Sequence, residues 1–158
     1  MTTTNPLRVA VARRALALAV SAAAGLGALS ACGGNDVTAA RLQASLAPTF
    51  AHLYADQAAI FGHPGTTPAS TGTSVACKRG GPKVPDVGPG ANWACMITFT
   101  DTAGTVQTGK FEVNAHANSC WTAGGPSKLI GPATITNGQG RDMPNPVAEF
   151  DGCFDPGS

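Results

Sequence analysis

The sequence predicts an α+β fold in which an amphipathic helix packs on a small antiparallel sheet of three to five strands, with two disulfides. Apolar residues recur every three or four positions over residues 37–61, the period of one helical face. Over residues 93–100 large apolar residues occupy every second position, the period of a half-buried strand. Four cysteines follow residue 76, an even number. The alternative is a small all-β sandwich with the helix as a stalk.

The first 31 residues have the order of a removable export signal. Arg8, Arg13 and Arg14 form a basic segment with no acidic residue among the first 35 positions, and an apolar run over residues 15–29 follows directly. The run is too rich in alanine, and too often interrupted by serine and glycine, for a strong membrane span. Because Arg13 and Arg14 also form a twin-arginine pair, both general and twin-arginine export stay open.

The motif Leu29-Ser30-Ala31-Cys32 closes this run and resembles the lipobox of bacterial lipoproteins. The resemblance implies that a lipoprotein signal peptide, residues 1–31, is removed and that Cys32 receives diacylglyceryl. Residues 32–35 are then a lipid-anchored tether and residues 36–158 one small disulfide-stabilised domain. The implied location is the extracytoplasmic face of the cell membrane, because two or more acyl chains anchor stably. An ordinary secretory signal with an unrelated cysteine is the alternative.

The predicted helix begins near Asp36 or Thr38, either of which can cap it, and ends at residues 62–64, which contain glycine and proline. Pro48 lies inside the helical pattern and removes one backbone hydrogen bond, so we expect a kink there or a second helix beginning near it. The core-facing side of the helix comprises Val37, Leu42, Leu46, Phe50, Leu53, Gln57 and Ile60 or Phe61.

A hairpin is predicted in the middle of the chain. Residues 64–73 are too polar to pack and lead into a short strand at 74–78, and the strand at 93–100 turns at 101–104 into a return strand at 105–116. Phe111, Val113 and Ala115 share the inner face of the return strand, whereas Val106 has the opposite parity. A β-bulge near Gly109 would bring Val106 inward.

Weaker strand patterns follow the hairpin, at residues 120–123 and 133–136, and residues 150–154 are expected to close the domain. The large aromatic residues of the chain are core candidates first, because tryptophan and phenylalanine bury extensive apolar area. They are Trp93, Trp121, Phe150 and Phe154.

Four cysteines remain once Cys32 is assigned to lipid. We expect Cys77 to pair with Cys95 and Cys120 with Cys153, because each pair then closes its own loop across a Gly/Pro-rich stretch; two other pairings are open. Metal ligation by these cysteines with His116 is the rival hypothesis. It is disfavoured because no CxxC pair occurs and exported thiols are normally oxidised.

The segment from Val75-Ala76-Cys77 through the Gly/Pro-rich loop to Cys95 and its hairpin is similar to small lipoproteins and secreted domains of unknown function in high-GC Gram-positive bacteria. This resemblance implies location and fold class and carries no catalytic residue. After residue 31, seven of the ten basic residues and all nine acidic ones remain, a formal charge of −2. Neither nucleic acid nor an anionic lipid surface is indicated as a partner.

The sequence predicts no catalytic residue, cofactor or metal site. His52, His63 and His116 belong to no recognised motif, and GxSxG, SxxK and HExxH are absent. An acidic calcium site is conceivable, but its spacing matches no EF-hand loop, and solvated carboxylates are the favoured interpretation. Its members would be Asp142, Glu149, Asp151 and Asp155.

The leading functional hypothesis is a non-catalytic binding or structural module of the cell envelope, with a protein, peptide or glycan ligand. A proteinaceous inhibitor of a secreted hydrolase is the first alternative. It would use a rigid loop with an exposed aromatic or basic residue, for instance Lys83 within 80–91 or Lys128 within 124–132. The second alternative is a small envelope hydrolase, which would need His116 beside a carboxylate and a hydroxyl.

Overall fold

The structure, a computed structural model, describes residues 37–154. The predicted signal peptide 1–31, Cys32, the tether 32–35 and Asp155 lie outside the described residues. One main helix packs on a five-stranded antiparallel sheet, as predicted, and a small two-stranded sheet follows. The elements are α1 (Ala39–Ile60), a 3₁₀ turn (Ala69–Thr71), β1 (Ser74–Arg79), β2 (Gly90–Thr100), β3 (Val106–Ala115), β4 (Cys120–Gly124), α2 (Ser127–Ile130), β5 (Thr134–Thr136), β6 (Asp142–Pro144) and β7 (Glu149–Cys153).

Helix α1 is capped at both ends. Thr38 is the N-cap, and its hydroxyl accepts a hydrogen bond from the Arg41 amide at 3.2 Å. At the other end Gly62 has a positive φ of 87°, and the His63 amide donates to the Ala58 carbonyl at 2.8 Å. This arrangement satisfies carbonyls that the helix itself leaves open. The helix runs through Pro48 as one element of 22 residues, so no second helix begins there.

The buried face of α1 lies against the sheet, so the helix is not a stalk. Phe50 is fully buried, with its ring centroid 5.0 Å from that of Phe99 and 5.4 Å from that of Phe111. Tyr54 is buried one turn further on, whereas Leu53, which the pattern placed on this face, is only half-buried. The face ends before Phe61, which is 48% exposed. No helix among residues 37–154 is both long enough and apolar enough to cross a bilayer.

The predicted hairpin is formed by β2 and β3, but its predicted bulge is wrong. The pairing runs without interruption from Trp93 opposite Val113 to Thr100 opposite Val106. Val106 therefore stays on the outer face and is 66% exposed. Gly109 lies on the inner face, where a Cβ atom would meet Leu129 Cδ2 at 2.3 Å. A larger residue would displace the Leu129 side chain at this position, and no bulge is present.

Both edge strands of the main sheet are covalently bonded to their neighbours. The strand order is β1-β2-β3-β4-β7, and every neighbouring pair is antiparallel. Cys77 in β1 is bonded to Cys95 in β2, and Cys120 in β4 to Cys153 in β7; these are the partners expected from the sequence. Each pair sits directly opposite in the strand register, so the bonds fix the alignment of the first and last strands.

The free edge of β1 is capped by side chains. The Cys77 amide, which points away from β2, donates to Gln43 Oε1 at 2.9 Å. Two residues later the Arg79 amide donates to Asp86 Oδ1 at 2.7 Å. Unpaired edge amides would otherwise invite another strand to pair. Two amides of this edge are therefore occupied, one by a residue of α1 and one by a residue of the loop that follows β1.

The remaining predictions for the second half of the chain are met in part. Trp93, Trp121, Phe150 and Phe154 are all buried, and residues 120–124 and 149–153 are strands of the main sheet. Residues 134–136 form a strand too, but it pairs with β6 in the separate two-stranded sheet. The segment 124–132, expected to be a loop, contains the short helix α2.

Candidate functional site

A cleft of about 430 Å³ opens where the end of α1, the β2–β3 turn and α2 meet. From α1 come Tyr54 and Gln57, with Phe61 and His63 just beyond its last residue; the turn contributes residues 101–103, and α2 contributes residues 128–130. Its lining mixes aromatic and polar groups, the usual make-up of a binding pocket. We call this end of the sheet the cleft end.

The wall of the cleft is fixed by a buried network of two side-chain amides. Gln57 Nε2 donates to the Ile130 carbonyl at 2.7 Å and to Asn145 Oδ1 at 2.8 Å. Asn145 Nδ2 donates in turn to the carbonyls of Ile130 and Pro132, at 2.8 and 2.9 Å. Both amide side chains are at most 4% exposed. Buried polar groups with their partners satisfied rigidify the elements that they join, here α1 and α2.

Asp101 shapes the turn at the mouth of the cleft. Its Oδ1 accepts hydrogen bonds from the Ala103 amide at 2.9 Å and the Thr105 amide at 2.8 Å, and its Oδ2 accepts one from Gln107 Nε2 at 2.8 Å. Hydrogen bonds from Gln107, then from the backbone of Thr105 and Ala103, lower the pKa of the Asp101 carboxyl. Both carboxylate oxygens of Asp101 are therefore occupied by hydrogen bonds, from the turn and from Gln107 in β3.

Tyr54 lies in the wall of the cleft beside that turn. Burial raises the pKa of the Tyr54 hydroxyl, and the negative charge of Asp101 adds to the shift, while hydrogen bonding with Thr102 opposes it. The hydroxyl is thus held neutral, able to donate and accept hydrogen bonds near neutral pH. As the chain contains one tyrosine, this group can be observed alone.

The rim of the cleft presents an aromatic ring, an imidazole and an ammonium group. Phe61 is 48% exposed, and His63 and Lys128 are exposed as well. An exposed aromatic ring and a flexible cation on the same cleft suit a ligand with an apolar or ring portion and an acidic group. The sequence had singled out Lys128 as a residue for an exposed loop; it lies instead on α2, at this rim.

The other histidines lie away from the cleft. His52 is exposed on the outer face of α1. His116 follows β3 in an exposed turn, where its amide donates to the Cys120 carbonyl at 2.8 Å. That turn is at the opposite end of the sheet, together with the start of α1 and the loop 80–89; we call it the loop end. The hydrolase hypothesis named His116, but the histidine that borders the cleft is His63.

The acidic residues considered for calcium belong to separate elements. Asp142 is in β6, where it accepts a hydrogen bond from Thr136 Oγ1 at 2.8 Å, whereas Glu149 and Asp151 are exposed in β7 of the main sheet. Asp155 lies outside the described residues. Among residues 37–154, no three His, Cys, Asp or Glu side chains come together in a way that could hold a metal ion.

Comparisons of the chain with protein-family models, with curated proteins and with solved structures find no match. The sequence placed Gln57 on the core-facing side and named Lys128, but it left Ile60 or Phe61 as the end of the buried face, and Asn145 gave no signal at all. One cue in the sequence could have indicated that Phe61 is exposed. Phe61 directly precedes a glycine at the end of the helical pattern, and a residue in that position lies past the last helical turn.

Proposed function

We propose that the protein is a non-catalytic binding module of the cell envelope, held at the outer face of the membrane by lipid on Cys32 and binding its ligand in the cleft. The observation that carries the proposal is the position of the cleft at the far end of α1 from the predicted anchor. The ligand class that suits the rim is a peptide or glycan with an apolar or ring portion near Phe61 and an acidic group near Lys128.

Three features support export and anchoring. A basic segment, an apolar run and the motif Leu29-Ser30-Ala31-Cys32 follow one another in the order of a lipoprotein signal. Two disulfides join strands of the domain, and such bonds persist chiefly in oxidising compartments. Both edge strands depend on them, so the fold suits an environment in which thiols are oxidised.

The length of α1 separates anchor and cleft. Five peptide units between Cys32 and Val37 reach at most about 18 Å, which keeps the start of α1 close to the lipid. The helix has 22 residues, and at 1.5 Å per residue it extends about 33 Å towards the cleft end. A domain tethered at the loop end thus has its cleft free to face outward.

The two alternative functions are less well supported. An inhibitor loop around Lys83 would lie at the loop end, within reach of the membrane surface, where approach by a soluble hydrolase is restricted. Lys128, the other residue considered for this role, lies on α2 at the rim of the cleft and not on an extended loop. A hydrolase would need a carboxylate to orient its histidine. In the cleft, the carboxylate oxygens of Asp101 are already bonded to its own turn.

Acylation is tested by intact-mass analysis of protein from a bacterial host that processes lipoproteins. The expected species begins at Cys32 and carries the mass of at least two acyl chains, and it partitions into the membrane fraction. A Cys32→Ser variant is the matched control and should stay unprocessed and free of acyl mass. A soluble wild-type product that retains residues before position 32 would contradict the proposal.

Binding in the cleft is tested with solubilised glycan–peptide fragments of the host cell wall as the probe. Phe61→Ala and Lys128→Glu should each weaken retention of the bound fragments, because they remove the aromatic and cationic parts of the rim. Val106→Ala alters an exposed apolar residue on the outer sheet face, and it should bind like the wild type. Equal binding by all three variants, or hydrolysis of the fragments by the wild type, would argue against a non-catalytic cleft module.

A further inference from the structure

The loop between β1 and β2, residues 80–89, exposes apolar side chains at the loop end. Val84 and Val87 are 39% and 43% exposed, and they are two of only five large apolar residues that are exposed among residues 37–154. Pro82 and Pro85 flank Val84 and are exposed as well. A cluster of apolar residues at the tip of a surface loop marks an interaction site more often than scattered ones do.

Hydrogen bonds hold the second half of this loop in place. The Arg79 guanidinium donates to the Val87 carbonyl, to the Pro89 carbonyl at 2.7 Å and to Asn92 Oδ1 at 3.0 Å. The indole of Trp93 donates to the Gly88 carbonyl at 3.1 Å. A loop that is already ordered loses little conformational entropy when it binds.

The loop is also fastened to the start of α1. The Gly88 amide donates to the Val37 carbonyl at 2.7 Å, and the Ala39 amide donates to the Asp86 carbonyl at 3.2 Å. Val37 is five residues from Cys32. The loop therefore moves with the chain segment that leads directly to the proposed lipid.

Local charge favours an anionic surface, although the domain as a whole is acidic. Residues 78–87 contain three basic residues, Lys78, Arg79 and Lys83, and one acidic residue, Asp86, a formal charge of +2. Lys78 and Lys83 are exposed, whereas Arg79 is directed at the loop backbone. Basic groups near an anionic membrane add to apolar contact.

We infer that the loop 80–89 is a second membrane contact, which docks on an anionic lipid bilayer beside the acylated Cys32. The inference rests on the proposed function, since the lipid is what brings the bilayer to the loop. A tether of at most about 18 Å keeps the effective concentration of membrane lipid near the loop high. A weak contact between loop and bilayer is then enough for the loop to stay bound. Lipid and loop together hold the loop end down, and the cleft end then faces away from the membrane.

The test uses the acylated mature protein, which begins at Cys32, in vesicles of phosphatidylglycerol and brominated phosphatidylcholine. Val84→Trp places a fluorescent ring on the loop, and its emission should be strongly quenched by the brominated chains. Val106→Trp is the matched control, because Val106 is exposed at the cleft end and its replacement should be quenched no more than the wild type. The native Trp93 and Trp121 are buried and give the same background in both variants.

Lys83→Glu, combined with Val84→Trp, should reduce the quenching in vesicles with phosphatidylglycerol and leave it unchanged without that lipid. If Val84→Trp does not fold, Val87→Trp reports on the same loop. Equal quenching of the loop variant and Val106→Trp in acylated protein would overturn this inference and leave the proposed function intact. If intact-mass analysis finds no acyl chains on the protein, both this inference and the proposed membrane anchoring are contradicted. If the tryptophan fluorescence changes on addition of envelope protein but not in the presence of vesicles, the loop binds a protein partner. That result would also overturn the inference.

Discussion

Gln57 and Asn145 meet through their side-chain amides in the interior, with Gln57 Nε2 at 2.8 Å from Asn145 Oδ1. The two residues are 88 positions apart, and their contact joins the end of α1 to the segment that follows β6. The same Asn145 side chain bonds to the carbonyls on either side of Gly131. The shape of the cleft wall therefore depends on this pair.

Replacing Gln57 with methionine should destabilise the domain by about 1–3 kcal/mol, because the side-chain oxygen of Asn145 and the Ile130 carbonyl lose a donor while buried. Denaturant unfolding measures the change. Gln139→Met is the matched control, since Gln139 is exposed, and it should unfold like the wild type. Equal stability of the two variants would mean that the network contributes nothing.

Phe50→Ala tests whether α1 is part of the core. The ring is fully buried among Phe99, Phe111 and Phe150, so its loss should reduce the free energy of unfolding by about 3–5 kcal/mol. His52→Ala changes an exposed residue of the same helix and should have little effect. An unchanged melting temperature for Phe50→Ala would indicate that the helix stands apart from the sheet.

Removing either disulfide should lower stability by about 3–4 kcal/mol on the chain-entropy account. Cys77→Ala with Cys95→Ala opens a loop with a sequence separation of 18, and Cys120→Ala with Cys153→Ala one with a separation of 33. Thermal unfolding with and without a reductant measures the effect. Each double variant should respond less to the reductant than the wild type does, and an equal response would contradict the assigned pairs.

Tyr54 predicts how stability depends on alkaline pH. Its pKa is raised by burial, so the folded protein keeps the hydroxyl proton at pH values where the unfolded chain, with an ordinary value near 10.0, loses it. Stability should therefore hold below pH 10 and fall as the pH rises through the raised pKa. Tyrosinate absorbance follows this single tyrosine directly. Tyr54→Phe should abolish that signal and flatten the alkaline loss, and an unshifted titration would contradict the burial argument.

Helix α1 and the hairpin were predictable because each repeats its own pattern over many residues. Leu42, Leu46 and Phe50 recur at helical spacing, and alternate residues of β2 and β3 are buried as their parity required. Such patterns reveal which face of an element is buried. The bulge prediction failed since it assumed that Val106 must be buried, whereas the β2–β3 turn leaves it in solvent.

The cleft was not predictable in the same way. Gln57 was assigned correctly to the core-facing side, but its partner Asn145 lies in a segment with no periodic pattern. The helical pattern left Ile60 or Phe61 as the last core-facing residue; Ile60 is half-buried, whereas Phe61 is the C-cap residue and is exposed. Long-range contacts of this kind depend on how loops cover the sheet, which local sequence does not specify.

Under the proposed anchoring to a membrane, the hydrogen-bonded edge of β1 has a further consequence. Molecules confined to a plane encounter one another far more often than in solution, and any strand with open amides would then recruit its neighbours into a growing sheet. With Gln43 and Asp86 occupying the amides of Cys77 and Arg79, that template is unavailable on this side. Pairing of a neighbouring molecule with these two amides of β1 is thus prevented.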